Sequence, residues 1–376
     1  MPLDRLEFRT SLQKLLIALI VVLVPLTVFG FYVALQGDNH VRQMHGDHFR
    51  ALTMTAAESS SEFIAGCVRD VSLIANNPAP IQAVNAANRQ YEHLSEEAVR
   101  TRIADVEQNW DSAKTDAVSE RVLTSDLASQ LRRIRELDPK LLRIMVADVS
   151  GAIVAATDRP AHYSQVDMAA WAATAAGGHG AIHISDLRYD DQRRLYYLNI
   201  SYPIQQEGTG RFIGAVTAMA DVSPLFAQLN RQQLGRTGRL FLVGEDGKVI
   251  EAPGVSPSMK IQSEEFSAIR DALGSLQGRE GGYIVATLGN GKSYMIGFAD
   301  TRLKEAYPNL PWVVLASQEA SELIGPVRNM TAFAVLLMVL ALLMLTLLAV
   351  YVFLHREQEI DDLETPEERA AHHFAA

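Results

Sequence analysis

Residues that could attack a substrate or bind a metal ion are few in this sequence, and they form no known catalytic pattern. None of the ten histidines occurs in the His-Glu-x-x-His spacing that places two zinc ligands on one helix face. The Gly-x-Ser-x-Gly motif of serine hydrolases is absent, and the glycine-rich segment GRTGRLFLVG (235–244) lacks the lysine of a phosphate-binding loop. We therefore expect no catalytic residue, no metal site and no cofactor, and we do not expect an enzyme.

The remaining reactive groups point in the same direction. The single cysteine, Cys67, excludes an intramolecular disulfide and any metal cluster built from cysteines. Because Cys67 lies on an apolar helical stripe, we predict a buried structural thiol rather than a reactive one. The pair His372-His373 near the C-terminus is interpreted as incidental rather than as a ligand set. The net charge of −10 argues against a nucleic-acid partner.

Two long apolar runs without a charged residue bracket most of the chain, at 15–37 and 330–354. A bilayer-spanning helix needs roughly 20 apolar residues, because the hydrocarbon is about 30 Å thick and a helix rises about 1.5 Å per residue. Both runs are long enough, so we predict two transmembrane helices. A cleaved signal peptide is the alternative for the first run, but that run is too long and Gln36-Gly37-Asp38 is a poor cleavage site.

Basic residues favour a cytoplasmic location for both termini. Arg5, Arg9 and Lys14 precede the first run, and Arg356 follows the second. We therefore expect a two-pass protein of the cell inner membrane whose central domain is periplasmic or extracellular. The predicted segments are a cytoplasmic tail (1–14), a first span (15–37), the central domain (38–326), a second span (330–354) and a short acidic cytoplasmic tail (355–376).

The first part of the central domain has helical periodicity. Apolar residues three and four apart predict one helix that continues from the first apolar run, with the stripe Phe49, Leu52, Ala56, Ser60, Phe63, Cys67, Val71 and Ile74. The prolines in Asn76-Asn77-Pro78-Ala79-Pro80 should end this helix. A second helical stretch is predicted over roughly 94–137, with Val99, Ile103 and Trp110 on one face.

The later part of the central domain is predicted to contain strands in an internal repeat. RIMVADVSGAIVAAT (143–157) parallels RLFLVGEDGKVIEAP (239–253), and Gly151 aligns with Gly247 at an offset of 96 residues. Each copy consists of an apolar strand, a turn and a second strand, and each is closed by a further strand. Strands are predicted at 141–149, 152–157, 195–202, 212–221 and within 310–323, with a hairpin turn at Asp190-Asp191-Gln192.

These segments, in this order, resemble the double Cache (dCache) extracytoplasmic sensor domain of bacterial receptors over about residues 40–326. The segments that carry the resemblance are VADVSGAIVAAT, SDLRYDDQRRLYYLNISYPI, GAVTAMADVSPL, LGRTGRLFLVGEDGKVIEAPG and LPWVVLASQEASEL. The resemblance implies an α+β fold, in which a long N-terminal helix precedes two PAS-like antiparallel-sheet modules and two transmembrane helices flank them. The membrane-distal module would cover about 95–230 and the proximal module about 234–320.

The resemblance also implies a ligand in the distal module and a parallel homodimer formed through the long helix. Family members that bind amino acids carry an Arg-x-Trp-Tyr segment, in which the arginine binds the carboxylate, and two aspartates that bind the ammonium group. This chain has Trp171, but Ala169 and Ala172 stand where the arginine and tyrosine would be. Asp186 and Asp221 are the candidate aspartates. A free α-amino acid is therefore not the expected ligand, and an amine or another small polar molecule remains open.

Each candidate has a structural alternative. Trp171 either forms a pocket wall or only packs its short helix onto the sheet. Asp186 either contacts ligand or caps a turn, and Asp221, just before Ser223-Pro224, either contacts ligand or caps the next helix.

Four further ligand-binding candidates complete the predicted site. Tyr197 and Tyr202 lie on one strand but on opposite faces, so at most one should face the pocket. Tyr163 and Arg188 are the other two candidates. With Trp171, Asp186 and Asp221 they make seven predicted site residues.

These observations predict a receptor subunit without its own output domain, since the 22 residues of 355–376 are too few for an enzyme. Ligand binding would shift the membrane helices, and a separate histidine kinase, diguanylate cyclase or chemoreceptor would respond. The alternative is a membrane-tethered binding protein or scaffold with no signalling role. An extracytoplasmic enzyme is the third hypothesis, which the missing catalytic pattern disfavours.

Overall fold

The computed structural model describes residues 12–111, 116–232, 234–252, 261–274 and 281–362, and many side chains within 12–39 and 326–362 are outside that description. The predicted tails therefore lie outside the described residues over 1–11 and 363–376, as does the pair His372-His373. The chain divides into two compact units. One unit combines Met1–His45 with Ala320–Ala376, and the other is Gly46–Glu319.

The described residues form helices and strands in a long alternating series. The helices are α1 Leu12–Ala75, α2 Pro78–Arg89, α3 Glu96–Gln108, α4 Asp116–Thr124, α5 Asp126–Leu137, α6 Ala169–Ala175, α7 Ser223–Asn230, α8 Glu264–Gly274, α9 Leu303–Ala306 and α10 Ala320–Asp362. The strands are β1 Leu141–Asp148, β2 Ile153–Ala156, β3 His183–Ile184, β4 Arg188–Asp190, β5 Leu195–Gln205, β6 Phe212–Asp221, β7 Arg239–Gly244, β8 Val249–Glu251, β9 Gly281–Thr287, β10 Ser293–Asp300 and β11 Trp312–Glu319.

The unit Gly46–Glu319 contains two antiparallel sheets. The first has the order β2-β1-β6-β5-β3, with β4 also paired to β5, and the second has the order β8-β7-β11-β10-β9. We call residues 78–230 the first module and residues 234–319 the second module. The predicted α+β fold, with a long N-terminal helix and two antiparallel-sheet modules, is confirmed.

The unit formed by the two chain ends is helical where it is described, with the first part of α1 and all of α10. The apolar runs 15–37 and 330–354 lie in these two helices. Over the residues that the structure describes, no helix has a stretch both long and apolar enough to cross a bilayer.

The predicted long helix is confirmed by α1, which buries most of its apolar stripe. Phe49, Cys67 and Val71 are at most 2 % exposed. Burial raises the pKa of the Cys67 thiol to about 11, so the thiol is protonated at neutral pH. The helix α1 ends just before the proline-containing segment, as predicted. Asn77 then caps the following helix α2, since its side chain accepts a hydrogen bond from the Ala79 amide at 3.1 Å.

The prediction of one helical stretch over 94–137 is wrong, because the structure has three separate helices there. These are α3, α4 and α5, and residues 112–115 between the first two lie outside the described part. Ser125 separates α4 from α5, since its hydroxyl accepts a hydrogen bond from the Ala128 amide at 3.2 Å. The pair Ser125-Asp126 is an N-cap followed by an acidic first turn, which is the sequence signal that periodicity alone misses.

The strand predictions are confirmed within a few residues. β6 begins and ends as predicted, at 212 and 221, and β5 continues three residues beyond the predicted 202. The hairpin turn before β5 is held by Asp190, whose side chain accepts hydrogen bonds from the Gln192 amide at 2.9 Å and the Arg193 amide at 3.0 Å.

The internal repeat is visible in matching hairpins. Gly151 and Gly247 have φ of 78° and 80°, which glycine adopts without the strain that a side chain adds. A Cβ at Gly151 would lie 2.7 Å from the Val166 side chain, and one at Gly247 would lie 2.3 Å from the Gln262 side chain. Each turn therefore needs glycine both for its conformation and for the close approach of the following loop.

One face of the first sheet is packed into the core of the module. Alternate residues on three neighbouring strands are fully buried, namely Ile144, Val146, Leu198, Ile200, Val216 and Ala218. α2 lies along this sheet, and its Asn88 side-chain amide donates to the Ile213 carbonyl at 2.9 Å. Because strand side chains alternate, the intervening residues must face the other side.

The turn between β1 and β2 is organised by a buried carboxylate. Asp148 is 1 % exposed, and its Oδ1 accepts hydrogen bonds from the amides of Ser150 at 2.9 Å and Ala152 at 3.1 Å. Burial raises the pKa of Asp148 to about 6, although hydrogen bonds from the two amides and from Tyr91 oppose the increase. The folded protein therefore binds a proton here that the unfolded chain releases at lower pH.

We expect Asp148→Asn to remove one component of the pH dependence of stability. Between about pH 4 and 6 the folded state holds a proton that the unfolded state has lost, so the contribution of Asp148 to the free energy of unfolding rises as pH falls. The full effect of this group is about 3 kcal/mol, since one pKa unit corresponds to about 1.4 kcal/mol. Denaturant unfolding of both proteins across this range measures the difference, and parallel pH profiles would contradict it.

Candidate functional site

A cavity of about 430 Å³ lies on the opposite face of the first sheet, beside a second buried cluster that includes Ala147, Trp171, Phe212 and Ala215. Its floor is made by the alternate residues of three strands. On β1 these are Arg143, Met145 and Ala147, which alternate with the buried Ile144 and Val146. The strand periodicity therefore decides which side chains reach the cavity.

The central row of the floor begins with an apolar residue on β1 and continues with polar residues on β6, β5 and β3. Met145 on β1 lies opposite Thr217 on β6, which lies opposite Ser201 on β5. The hydroxyls of Ser201 and Thr217 are 2.9 Å apart and hydrogen-bonded. His183 on β3 pairs with Ser201 and extends the row. Burial lowers the pKa of His183 despite the opposing charge of Asp186, so the imidazole is neutral at neutral pH.

The short helix α6 covers the floor. Trp171 is 9 % exposed and packs edge-on against Phe212, with ring centroids 5.5 Å apart. The same tryptophan lines the cavity, as do Ala170 and Thr174, which are one helical turn apart on α6. Trp171 thus fulfils both alternatives, because it packs the helix onto the sheet and forms a wall of the cavity.

A loop ahead of α6 forms another wall and is held by α3. Glu107 on α3 accepts hydrogen bonds from the amides of Tyr163 at 2.7 Å and Ser164 at 2.8 Å, and its other oxygen lies 2.7 Å from His162 Nδ1. Burial alone would raise the pKa of Glu107, but these hydrogen bonds outweigh it and lower the pKa. His162 and Gln165 line the cavity, so Glu107 fixes this wall without reaching the cavity itself.

One end of the cavity is cationic. The row beside the central one contains Arg143, Met219 and Asn199 on the three adjacent strands, and Arg188 and Asp186 lie at the same edge. The Nε of Arg143 is buried and has no hydrogen-bond partner among the described residues.

A residue of the second module closes the cavity. Asn309 lies in the loop before β11, and its side-chain amide donates to the carbonyl of Ile184 on β3 at 2.8 Å. It also lines the cavity, beside Ser185 and His183. The second module therefore reaches this site through the Asn309 hydrogen bond at the sheet edge.

The structure brings together three of the seven residues predicted from the sequence. Trp171, Asp186 and Arg188 line the cavity. Their roles in ligand binding stay predictions, since the structure shows only that the three side chains line the same cavity.

Two other predicted residues have structural partners outside the cavity lining. Asp221 ends β6 and accepts a hydrogen bond from the Ser223 amide at 2.8 Å, a contact across the turn into α7, whose N-cap position is Val222. Tyr163 packs against Trp110 with ring centroids 5.2 Å apart, and burial raises its pKa. Neither side chain joins Asp186 at the cavity.

Tyr197 and Tyr202 lie on opposite faces of β5, as predicted. Tyr197 shares the face of Asn199 and Ser201 but lies beyond the end of the lining, where it pairs with Asp221. Tyr202 is on the other face. Neither tyrosine is among the cavity-lining residues, and a role of either in ligand binding stays a prediction.

The sequence interpretation missed several lining residues, including Arg143, His183, Asn199 and Asn309. For Arg143 a signal existed, because an arginine interrupts the otherwise apolar strand LLRIMVAD (141–148). For Asn309 no local signal exists, since its position depends on how the second module meets the first.

A second cavity, of about 880 Å³, lies between α1 and residues 299–307 in the second module. Arg50, Glu58 and Tyr307 are among its lining residues. No cluster of three or more histidine, cysteine, aspartate or glutamate side chains that could hold a metal ion occurs in the described part of the chain.

The model of one protein family, described as the Cache domain, matches residues 42–327. This chain belongs to the Cache-domain family. The match is to the double Cache form, so the resemblance proposed from the sequence is confirmed. No curated protein matches this Cache chain.

Solved structures similar to this Cache chain include sensor domains of bacterial chemoreceptors. The sensory domain of the Campylobacter jejuni chemoreceptor Tlp3 (CcmL) has a TM-score of 0.50 at 12% identity, covering 76% of this chain and 98% of that one. The ligand-binding domain of the Pseudomonas aeruginosa PAO1 amino acid chemoreceptor PctC, in complex with GABA, has a TM-score of 0.46 at 14% identity, covering 73% and 99%. The first likeness supports the Cache fold alone.

Proposed function

We propose that this Cache protein is a small-molecule sensor that binds its ligand in the cavity of the first module. The observation that carries the proposal is the cavity itself, a concave site of about 430 Å³ with convergent polar groups. Ligand sites commonly have about 300–1,000 Å³ and a few placed polar groups among apolar ones. Trp171 and the methionines supply apolar surface here, while Ser201, Thr217 and Asn199 supply hydrogen-bonding groups.

The contact of Asn309 supports a signalling role rather than passive binding. Asn309 connects the cavity edge to the loop before β11, and the segment that precedes this loop reaches α1. There the Ser61 hydroxyl donates to the Thr301 carbonyl at 2.5 Å, and the Thr301 hydroxyl donates to the Trp312 carbonyl at 2.8 Å. A ligand that moves Asn309 would thus alter contacts made with the long helix. For this coupling to act, the ligand must bind one arrangement better than the other.

The same proposal includes membrane anchoring through 15–37 and 330–354, with the sensor domain outside and a separate output protein inside. The support is in the sequence, where both runs lack charged residues and exceed the roughly 20 apolar residues that a span needs. A parallel homodimer through α1 is part of the proposal. The full chain should sediment with membranes after an alkaline carbonate wash, and its recovery in the supernatant would contradict the anchoring.

We expect Ala170→Trp to block ligand binding. Ala170 lines the cavity from a partly exposed position on α6, so a large side chain there fills the space without entering the core. Ala173 on the same helix is exposed, and Ala173→Trp is the matched control. Thermal melting of the full chain with amines, amino acids, carboxylates, purines and sugars measures binding, because a ligand that binds the folded state raises the midpoint.

In that screen, a compound should stabilise the wild type and Ala173→Trp but not Ala170→Trp. If a compound stabilises all three proteins equally, it binds outside this cavity, and that result would contradict the proposal. Failure of every class to stabilise the wild type would favour the scaffold alternative.

We expect Asn309→Ala to retain binding and lose transmission. The substitution removes one neutral hydrogen bond, worth about 1 kcal/mol, and leaves the floor of the cavity intact. With a ligand from the screen, amide hydrogen exchange in 301–310 and around Ser61 should change in the wild type but not in the variant. Asn290→Ala, in the turn between β9 and β10, is the control. An unchanged exchange response in Asn309→Ala would exclude this route.

A further inference from the structure

The guanidinium of Arg143 is a cation without an anionic partner in the wall of a cavity. Arg143 is half-buried on β1, lines the cavity, and has a fully buried Nε without an acceptor among the described residues. No carboxylate of the described residues lies within ion-pair distance of it. A charged group that lines a cavity without an ion-pair partner gains from an anion placed against it, so the position favours an anionic ligand.

The carboxylates around Arg143 are otherwise engaged or turned to solvent. Asp158 is close enough for the Arg143 charge to lower its pKa, but both of its oxygens bind Arg135, at 2.9 and 2.8 Å. Thr157 donates to Asp158 as well, at 2.9 Å. Asp186 is the single carboxylate in the cavity lining and is exposed. Arg143 and Arg188 outnumber it, so this end of the cavity is positive.

The groups beside Arg143 suit a planar anion. Asn199 lies two strands away in the same row, with Met219 between them. No hydrogen bond joins the Asn199 side-chain amide to another described residue, and the residue faces the cavity. An arginine presents parallel N–H groups that match the two oxygens of a carboxylate, and its two terminal Nη groups form such a pair. Asn199 would add a neutral donor.

The other end of the cavity is apolar. Trp171 packs on Phe212 near the Ala147 end of β1, four residues from Arg143. Four strand residues span about 13 Å at about 3.3 Å per residue. Met145 and Met168 lie along this length, and methionines adapt to apolar groups of varied shape. The cavity thus separates a cationic end from an apolar end.

We propose that the ligand of this site is a small organic carboxylate, with its carboxylate bound by Arg143 and its apolar body against Trp171 and the methionines. This inference rests on the proposed function, since it names the chemical class that the same cavity takes. The proposal assigns the ligand's carboxylate to Arg143 on β1. In the amino-acid-binding members of the family, the resemblance would instead place the arginine in the Arg-x-Trp-Tyr segment. The proposal also narrows the ligand class, because an amine without a carboxylate would face two arginines.

The test compares matched acids and amides on the full chain. Hexanoate, benzoate, phenylacetate and succinate are titrated against hexanamide, benzamide, phenylacetamide and succinamide, together with the corresponding amines. Binding is followed by calorimetry and by Trp171 fluorescence, with Trp110 and Trp312 as the constant background. At least one acid should bind the wild type about 10-fold or more tightly than its amide, since hydrogen bonds to charged groups are the stronger ones.

Variants then assign the charge to its residue. Arg143→Gln should weaken binding of that acid about 10-fold to 100-fold and leave its amide nearly unaffected. Arg143→Lys retains the positive charge but loses the parallel N–H groups of the guanidinium. It should weaken binding of that acid less than Arg143→Gln does. Arg133→Gln removes an exposed arginine on α5 and should change nothing. Arg188→Gln provides a second cavity variant if Arg143→Gln melts at a much lower temperature than the wild type.

The outcomes separate this inference from the function on which it rests. Acids that bind no better than amides, or an acid whose affinity is unchanged in a folded Arg143→Gln, overturn the assignment of the carboxylate to Arg143. If amines or amides bind and Ala170→Trp abolishes that binding, the carboxylate assignment fails and the sensor proposal stands. If Ala170→Trp leaves all binding intact, both proposals fail.

Discussion

The alternation of side chains along the strands of the first sheet is the constraint on which the rest of this structure depends. A strand must send successive side chains to opposite faces, so burying Ile144 and Val146 beneath α2 obliges Arg143 and Met145 to face away. The same parity operates on β5 and β6. The face opposite Ile144 and Val146 therefore carries two kinds of residue, a buried apolar cluster around Trp171 and Phe212 and the polar and charged groups of the cavity. The cavity exists because α6 covers that face without filling it.

The walls of the site are held in place by residues from elements outside the first sheet. Glu107 on α3 holds the loop of His162, and Asn309 reaches the edge strand from the second module. Glu107 contacts the Tyr163 amide and the His162 ring, and Asn309 donates to the Ile184 carbonyl. The site thus has a floor built by the sheet and walls held by hydrogen bonds from other elements.

Much of the fold follows from local sequence patterns. The heptad-like spacing of α1, the alternating strands and the glycine-centred hairpins at Gly151 and Gly247 are each decided by neighbours within a few residues. The prediction of one helical stretch over 94–137 was wrong for a local reason too, because the cap at Ser125 interrupts an otherwise continuous apolar periodicity. Local signals of this kind also define the family resemblance, which depends on an ordered series of segments rather than on one motif.

The sequence by itself determined the two modules, their antiparallel strands, the long helix and the position of Trp171 on a short helix. Only the tertiary structure decided the site. Its lining joins residues from 143 to 309, so their meeting depends on strand register and on the docking of one module against the other. Register placed Arg143 in the cavity and left Asp221 outside its lining, at the turn into α7, which reverses the ranking that residue type suggested. Periodicity predicts which residues share a face, but the partner of each face is set by long-range packing, and no local pattern encodes it.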